Sequence, residues 1–174
     1  MTDATWSRLA AVDVDYPTAG GASAAIVVAE DARFASIVTE HVVRIDDVEP
    51  YRPGHLFARE LPCLEAALAV AGEVDLLIVD AYVDLDPEGR PGLGAYAHTT
   101  FGIPVIGVAK TAFRTATHAI AVHRGNASRP LYVTAAGLEA EAAAAMVASM
   151  VGEFRMPDAL RRVDSLARRG TPPD

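Results

Sequence analysis

The chain has 174 residues, 51% of them hydrophobic, which is enough for one domain with a proper core. No apolar run is long enough to span a membrane, and the N-terminus lacks the basic patch and apolar core of a signal peptide, so we expect a cytoplasmic protein with no membrane partner. A formal net charge of −8 disfavours a protein that coats nucleic acid through a basic face.

Three strand-like segments come first and are joined by short turns, which predicts an antiparallel meander over residues 9–16, 22–29 and 33–45. Asp13 and Asp15 lie two residues apart on the first strand and therefore share one face. Aspartate is unfavourable in strands, so this face is either exposed to solvent or part of a site.

The segment 50–60, PYRPGHLFARE, predicts a rigid loop, because its prolines fix φ and remove backbone donors. Tyr51 is held between the two prolines, and Gly54 permits a sharp turn. Glu60 stands just before a helix predicted over 62–71, which would open with a proline in its first turn. The loop either delivers an aromatic ring and a carboxylate to a site or is an ordinary turn with a solvated glutamate.

Two continuous apolar runs follow, 75–80 and 103–108, separated by a loop and a short helix at 95–101. Such runs are typical of parallel strands buried on both faces, and we expect both to run parallel to the first strand. The first run ends at Asp80, and Lys110, the only lysine of the chain, follows the second. Ligands bind beyond the carboxyl ends of strands in sheets of this kind, so these two side chains are expected at one functional edge.

The remaining chain predicts two short strands, at 118–123 and 130–135, and two helices, at 138–151 and 158–169. Four arginines on the last helix favour a solvated face over a phosphate-binding patch. No repeat, linker or low-complexity segment indicates a second domain, so residues 1–174 are expected to form one domain and to act as a monomer.

Three acids stand at strand ends or in the rigid loop: Asp13, Glu60 and Asp80. Three carboxylates are suitable ligands for a hard cation such as Mg²⁺. A cation there would polarise a phosphodiester and lower the pKa of bound water, and Lys110 would offset charge that develops on the phosphate.

The order of these motifs resembles the endonuclease V family. The resemblance is carried by AAVDVDY at 10–16, PYRPGHLFARE at 50–60, DLLIVDAY at 75–82 and GIPVIGVAK at 102–110, and it continues through RPLYVT and MPDALRRVDSLAR. It implies an α/β protein of ribonuclease H-like fold, with a five-stranded mixed sheet flanked by helices. It also implies a role in DNA repair, in which Mg²⁺ or Mn²⁺ supports cleavage of DNA or RNA near deaminated adenine (inosine).

By motif position, Asp13, Glu60 and Asp80 match the metal carboxylates of the family and Lys110 its active-site lysine. The segment with Tyr51, Pro53 and Gly54 matches the wedge that enters the nucleic acid beside the lesion, and Tyr82 is expected near the same substrate.

The chain departs from the family around the substrate. The Gly-x-Gly that follows the fourth strand in the family is Ala81-Tyr82-Val83 in this chain, and the His-Pro beyond it is Asp86-Pro87. We therefore expect an altered pocket with weak or no preference for inosine. A non-catalytic protein that binds nucleic acid or another partner on the same fold is the alternative, and a ligand-binding α/β domain is a third reading.

Overall fold

In the computed structural model, which describes residues 5–53 and 55–170, one mixed sheet lies between two layers of helices. The elements in chain order are β1 (Leu9–Asp15), β2 (Ala22–Ala29), β3 (Ile37–Ile45), α1 (Leu56–Ala71), β4 (Leu76–Val79), α2 (Leu93–Phe101), β5 (Val105–Ala109), β6 (Ile120–Val122), β7 (Leu131–Ala136), α3 (Ala140–Ser149) and α4 (Asp158–Arg169).

The sheet has seven strands in the order β3-β2-β1-β4-β5-β7-β6. Strands β1, β2 and β3 form the predicted antiparallel meander, and β1, β4 and β5 are parallel neighbours, as predicted. The expected count of five strands was wrong. Strands β7 and β6, which the sequence analysis recognised as short strands, pair antiparallel beyond β5 and extend the same sheet.

The central strands bury side chains on both faces. Leu9 and Ala11 of β1 pack into a core with α3 and α4, whereas Ala10 and Val12 pack into a second core with α1 and α2. Every residue of β2, β4 and β5 is buried, which explains why these segments are almost wholly apolar, with Ser23 of β2 as their one polar side chain. The third strand begins at Ile37 rather than at residue 33, because a turn precedes it.

Helix α1 begins at Leu56, so the predicted start at residue 62 was wrong. Pro62 lies inside the helix, and Glu60 lies in its first half rather than in a loop before it. Residues 57–61 are mostly helix-compatible, and Phe57 and Leu61 pack against the core, so burial offsets the backbone bond that the proline removes.

Within the residues described, no helix is long and apolar enough to cross a membrane.

Candidate active site

The carboxyl ends of β1, β4 and β5 meet at one edge of the sheet. Val12 of β1 pairs with Val79 of β4, so Asp13 and Asp80 follow directly on neighbouring strands. Lys110 comes directly after β5, the next strand along. The parallel arrangement therefore brings three of the four predicted catalytic side chains to the same edge.

A small cavity joins these three residues. It has a volume of about 20 Å³, room for a water-sized species, and is lined by Asp13, Asp80, Lys110 and Asp164. Lys110 Nζ lies 3.4 Å from Asp80 Oδ2, and both side chains are 39% exposed. The rest of the wall is apolar and comes from the same strands and from the region of α4: Val12, Val79, Val108, Met156, Leu160 and Val163.

Asp13 is a half-buried carboxyl with acidic neighbours. The pKa of Asp13 is raised to about 7. The largest cause is burial, followed by the Asp80 carboxylate and then by a side-chain hydrogen bond with Asp164. The backbone N–H of Val14 donates to Asp13 Oδ1 over 2.9 Å and opposes this shift. The carboxyl groups of Asp13 and Asp164 therefore face one another in the cavity, where a bound cation would relieve the cost of bringing acids together.

Asp164 is the site residue that the sequence analysis missed. It lies on α4 four residues after Leu160, next to the buried Val163, and it pairs with the exposed Arg168 at 3.2 Å. The signal was present in the sequence: an acid beside the apolar stripe of an amphipathic helix calls for a partner.

Glu60 approaches Asp80 from the other face of the sheet, on α1, and does not line the small cavity. Burial and then the Asp80 carboxylate raise the pKa of Glu60 to about 7, while the neighbouring Arg59 opposes the shift. The guanidinium of Arg59 lies 3.6 Å from the centroid of the Tyr16 ring. Asp80 therefore lies among the other three predicted catalytic residues, with Asp13 and Lys110 in the same cavity and Glu60 beside it.

The donor set fits a divalent cation by its chemistry. Asp13, Glu60, Asp80 and Asp164 supply only carboxylate oxygens, the ligands that Mg²⁺ and Mn²⁺ prefer. Raised pKa values at Asp13 and Glu60 show that their negative charges are under-compensated, which a bound cation would relieve. Between residues 5 and 170, with Gly54 excepted, no group of three Asp, Glu, His or Cys side chains is already arranged to hold a metal ion.

The predicted wedge lies in solvent between β3 and α1. Tyr51 is 59% exposed, and Arg52 and Pro53 are exposed beside it. His55 N donates to Arg52 O over 2.9 Å and closes the turn. Gly54, the remaining predicted member, lies outside the described residues.

Tyr82 does not extend freely towards a substrate. Its hydroxyl donates to Thr111 O at 2.7 Å and accepts from the Phe113 N–H at 3.0 Å, and its ring lies 5.9 Å from that of Phe113. The side chain therefore fixes the loop that follows Lys110.

A second hollow, of about 230 Å³, adjoins Asp80 on the α2 side and is mostly apolar. It is lined in part by Phe57, Tyr82, Leu85 and Tyr96, and the rings of Phe57 and Tyr96 are stacked at 4.0 Å.

The backbone beside this hollow is bonded within the protein. The Val83 amide donates to Thr134 Oγ1 at 2.8 Å, and the Gly92 amide donates to the Val83 carbonyl at 2.7 Å. The Gly94 amide donates to the Tyr82 carbonyl at 3.1 Å. The Val83 side chain is buried at 1% exposure, and a Cβ placed on Gly94 would lie 2.7 Å from it. Val83 therefore occupies space that a glycine would leave open.

Fold and site together define a class: an α/β protein of ribonuclease H-like fold whose acids gather at the carboxyl ends of its central parallel strands. A family model described as endonuclease V matches residues 1–126, and the chain belongs to the endonuclease V family, a family of nucleases.

Known relatives support this assignment over most of the chain. Endonuclease V of Azotobacter vinelandii is 34% identical over 92% of this chain and 82% of its own length. Endonuclease V of Streptomyces avermitilis is 30% identical over 93% and 80%.

Two solved structures share the fold. The endonuclease V structure from Streptomyces avermitilis has a TM-score of 0.79 and 27% identity, and the match covers 95% of this chain and 81% of that one. Endonuclease V of Ciona intestinalis, in complex with DNA containing an inosine followed by a ribo-adenosine, has a TM-score of 0.83 at 17% identity, covering 97% and 87%.

Proposed function

We propose that this protein is a metal-dependent endonuclease that hydrolyses a phosphodiester in DNA or RNA. The observation that carries the proposal is the meeting of Asp13, Asp80, Asp164 and Lys110 around one small cavity at the carboxyl edge of the sheet. Membership of the endonuclease V family supports the same chemistry.

Asp13, Asp80 and Glu60 would hold Mg²⁺ or Mn²⁺, with Asp164 as a further carboxylate at the same place. When bound, the cation supplies Lewis-acid polarisation of the phosphate and a more acidic water. Asp13 and Asp164 would both face this cation as carboxylates from the walls of the small cavity that they line.

Lys110 would act on the phosphate. Its ammonium is a compact and rotatable point charge, which suits a phosphate oxygen whose direction changes during the reaction. Pairing with Asp80 at 3.4 Å holds Nζ at the rim of the cavity until substrate arrives. Charge that develops on the phosphate is then offset by a group already in place.

We further propose that the substrate pocket is altered and reads the base weakly. An enzyme that selects one nucleobase must hold it in a close pocket and hydrogen-bond its edge. The hollow beside Asp80 offers the faces of aromatic rings, while the amides of Val83, Gly92 and Gly94 are already engaged. Val83 is buried in the core against Gly94, where a glycine would leave space, and side-chain volume added to a tight site costs about 1–3 kcal/mol.

The test is cleavage of matched oligonucleotides. Labelled single strands of DNA and RNA, carrying either inosine or adenosine at one position, are incubated with the protein and Mn²⁺, with an EDTA arm as control. Cleavage of both strands at rates within about tenfold of each other, and none in EDTA, is expected.

Other outcomes separate the two parts of the proposal. A preference for inosine of about a hundredfold, equivalent to about 2.7 kcal/mol, would contradict the altered pocket while leaving the nuclease intact. Binding without cleavage in Mn²⁺ would instead favour a non-catalytic nucleic-acid-binding protein.

A further inference from the structure

A groove of about 630 Å³ opens beside the catalytic cavity, between residues 153–156 and the start of α4. We call it the Phe154 groove; Asn126, Ala127 and Arg161 complete its walls. Met156 lines both this groove and the catalytic cavity. The two hollows are therefore neighbours.

An aromatic ring and an arginine form the outer part of the groove. Phe154 is 55% exposed, although it is a large apolar side chain. The guanidinium carbon of Arg161 lies 4.4 Å from the centroid of its ring. None of the ion pairs among the described residues uses Arg161, whereas its neighbour Arg162 is held by both carboxylate oxygens of Glu40.

The backbone under Phe154 is held rigidly. Arg124 is 7% exposed, and its guanidinium donates to the carbonyls of residues 150, 152, 154 and 155. Gly125 has φ +61°, and a Cβ there would lie 2.6 Å from Glu153 O, so a second backbone segment packs directly against the loop. The Phe154 ring is presented by a preorganised loop, which lowers the entropy cost of binding a ligand on it.

The charge of the groove suits a polyanion. Arg155 and Arg161 line it against Glu153, in a chain whose net charge is −8. Arg155 also donates through Nη2 to the carbonyl of Lys110 and, at 2.7 Å, to that of Pro130, which joins the groove to the catalytic lysine. A locally positive groove beside an acidic site is an electrostatic guide for a phosphate chain.

Helix α4 contributes side chains to both hollows. Arg161 precedes Asp164 by three residues on α4, a rise of about 4.5 Å along the helix axis. A strand whose scissile phosphate lies in the catalytic cavity would therefore bring a nearby nucleotide over the groove.

We propose that the Phe154 groove binds the unpaired base of a nucleotide close to the scissile phosphate, stacked on Phe154, with Arg161 against the base or its phosphate. The inference rests on the proposed nuclease function and specifies its substrate as a single-stranded or locally unpaired segment. Stacking on an aromatic ring tolerates every base, because every base has a π-face. This agrees with a site that does not read base identity.

Equilibrium binding tests the proposal without catalysis. A fluorescent single-stranded oligonucleotide is titrated with the full chain in the absence of divalent metal, using wild type and the variants Phe154→Ala, Phe154→Leu, Phe154→Trp and Arg161→Ala. Arg162→Ala is the matched control, since it removes the same charge from the adjacent position of the same helix.

The alanine and leucine variants of Phe154 and Arg161→Ala should weaken binding about tenfold, whereas Phe154→Trp and Arg162→Ala should stay within about twofold of wild type. Moving one abasic nucleotide along the strand should reveal a position at which wild type and Phe154→Ala bind equally, because the stacked base is then already missing. Unchanged melting temperatures would show that the exposed substitutions leave the fold intact.

Four results would overturn the inference. Wild-type affinity of Phe154→Ala, with wild type still cleaving the same strand, refutes the groove and leaves the nuclease standing. A loss in Phe154→Ala that no abasic position removes refutes base stacking. If Phe154→Ala changes only the oligomeric state, the groove is a contact between copies of the chain. Should wild type neither bind nor cleave any strand, the proposed function falls and the groove with it.

Discussion

The two faces of the sheet bring acids to Asp80 in different ways. On the α4 face, Asp13 and Asp164 line one small cavity with Asp80 and Lys110. On the α1 face, Glu60 is half-buried next to Arg59 and is repelled by the Asp80 carboxylate. Asp80 therefore lies between two layers of the protein. The α4 layer contributes to an acidic cavity, whereas the α1 layer contributes a single carboxylate, that of Glu60.

Substitution of Asp80, the residue between the two faces, should have the largest effect on cleavage. Asp80→Asn takes a charge from both faces at once and frees Lys110 from its partner, so we expect cleavage to fall by about a thousandfold or more, equivalent to several kcal/mol of lost transition-state stabilisation. Initial rates in Mn²⁺ measure it. Asp15→Asn is the control, because it removes the same charge at a position two residues along β1 from Asp13. If Asp80→Asn cleaves as fast as this control, the central role of Asp80 is contradicted.

The stabilisation of the fold by Mn²⁺ should depend more on the acids of the α4 face than on Glu60. Mn²⁺ at a hundred times its dissociation constant should stabilise the wild-type fold by about 2.7 kcal/mol through mass action. Because Asp13 and Asp164 share the cavity with Asp80, Asp13→Asn and Asp164→Asn should reduce this shift more than Glu60→Gln does. Differential scanning fluorimetry over a Mn²⁺ series measures this stabilisation. If Glu60→Gln loses more of it than Asp13→Asn and Asp164→Asn do, the metal binds on the α1 face instead.

Without metal, the same acids should destabilise the fold. The pKa values of Asp13 and Glu60 are raised to about 7 in the folded chain, so the folded state holds their protons more tightly than the unfolded state does. Stability contributed by the protonated forms is complete below about pH 4 and is lost as the pH rises towards 7.

Asp13→Asn and Glu60→Gln should therefore each raise the free energy of unfolding at pH 7 by roughly 1–3 kcal/mol, with little change at pH 4. Urea unfolding of the metal-free proteins at both pH values measures it. Equal effects at the two pH values would show that the charges are not the cause.

The smallest effect should come from the outer side of α4. Arg162 binds Glu40 of β3 through two hydrogen bonds, at 2.6 and 2.9 Å, and this partner holds the pKa of Glu40 below its usual range. A depressed pKa gives stability that is present above the unfolded value and is lost as the pH falls through the folded one. Glu40→Gln should cost less than about 1 kcal/mol at pH 7 and leave cleavage unchanged, because exposed ion pairs contribute little. A clear loss of activity would mean that this pair positions α4 and its Asp164.

How far the sequence predicts this molecule depends on the range of the interactions involved. Apolar runs such as 75–80 determine strands locally, so the meander and the parallel pairs were predictable, and adjacency of Asp13 and Asp80 followed from them. The start of α1 was predicted wrongly at Pro62, because a helix interior can accept a proline when neighbouring side chains are buried. Asp164 was missed because its partner, Asp13, is distant in the sequence, and only the packing of α4 on β1 brings the two together.

The edges of the sheet have a consequence for the behaviour of the chain in crowded solution. At one edge, β3 has nine residues, yet Glu40 and Arg44 are exposed along it, and the β2–β3 register shifts at Val28/Ala29. At the other edge, β6 has only three residues. Charged side chains, an irregular register and a short strand all hinder the addition of a foreign strand to an open edge. A sheet with fully buried, β-prone central strands is thus shielded at both ends from the pairing that begins aggregation.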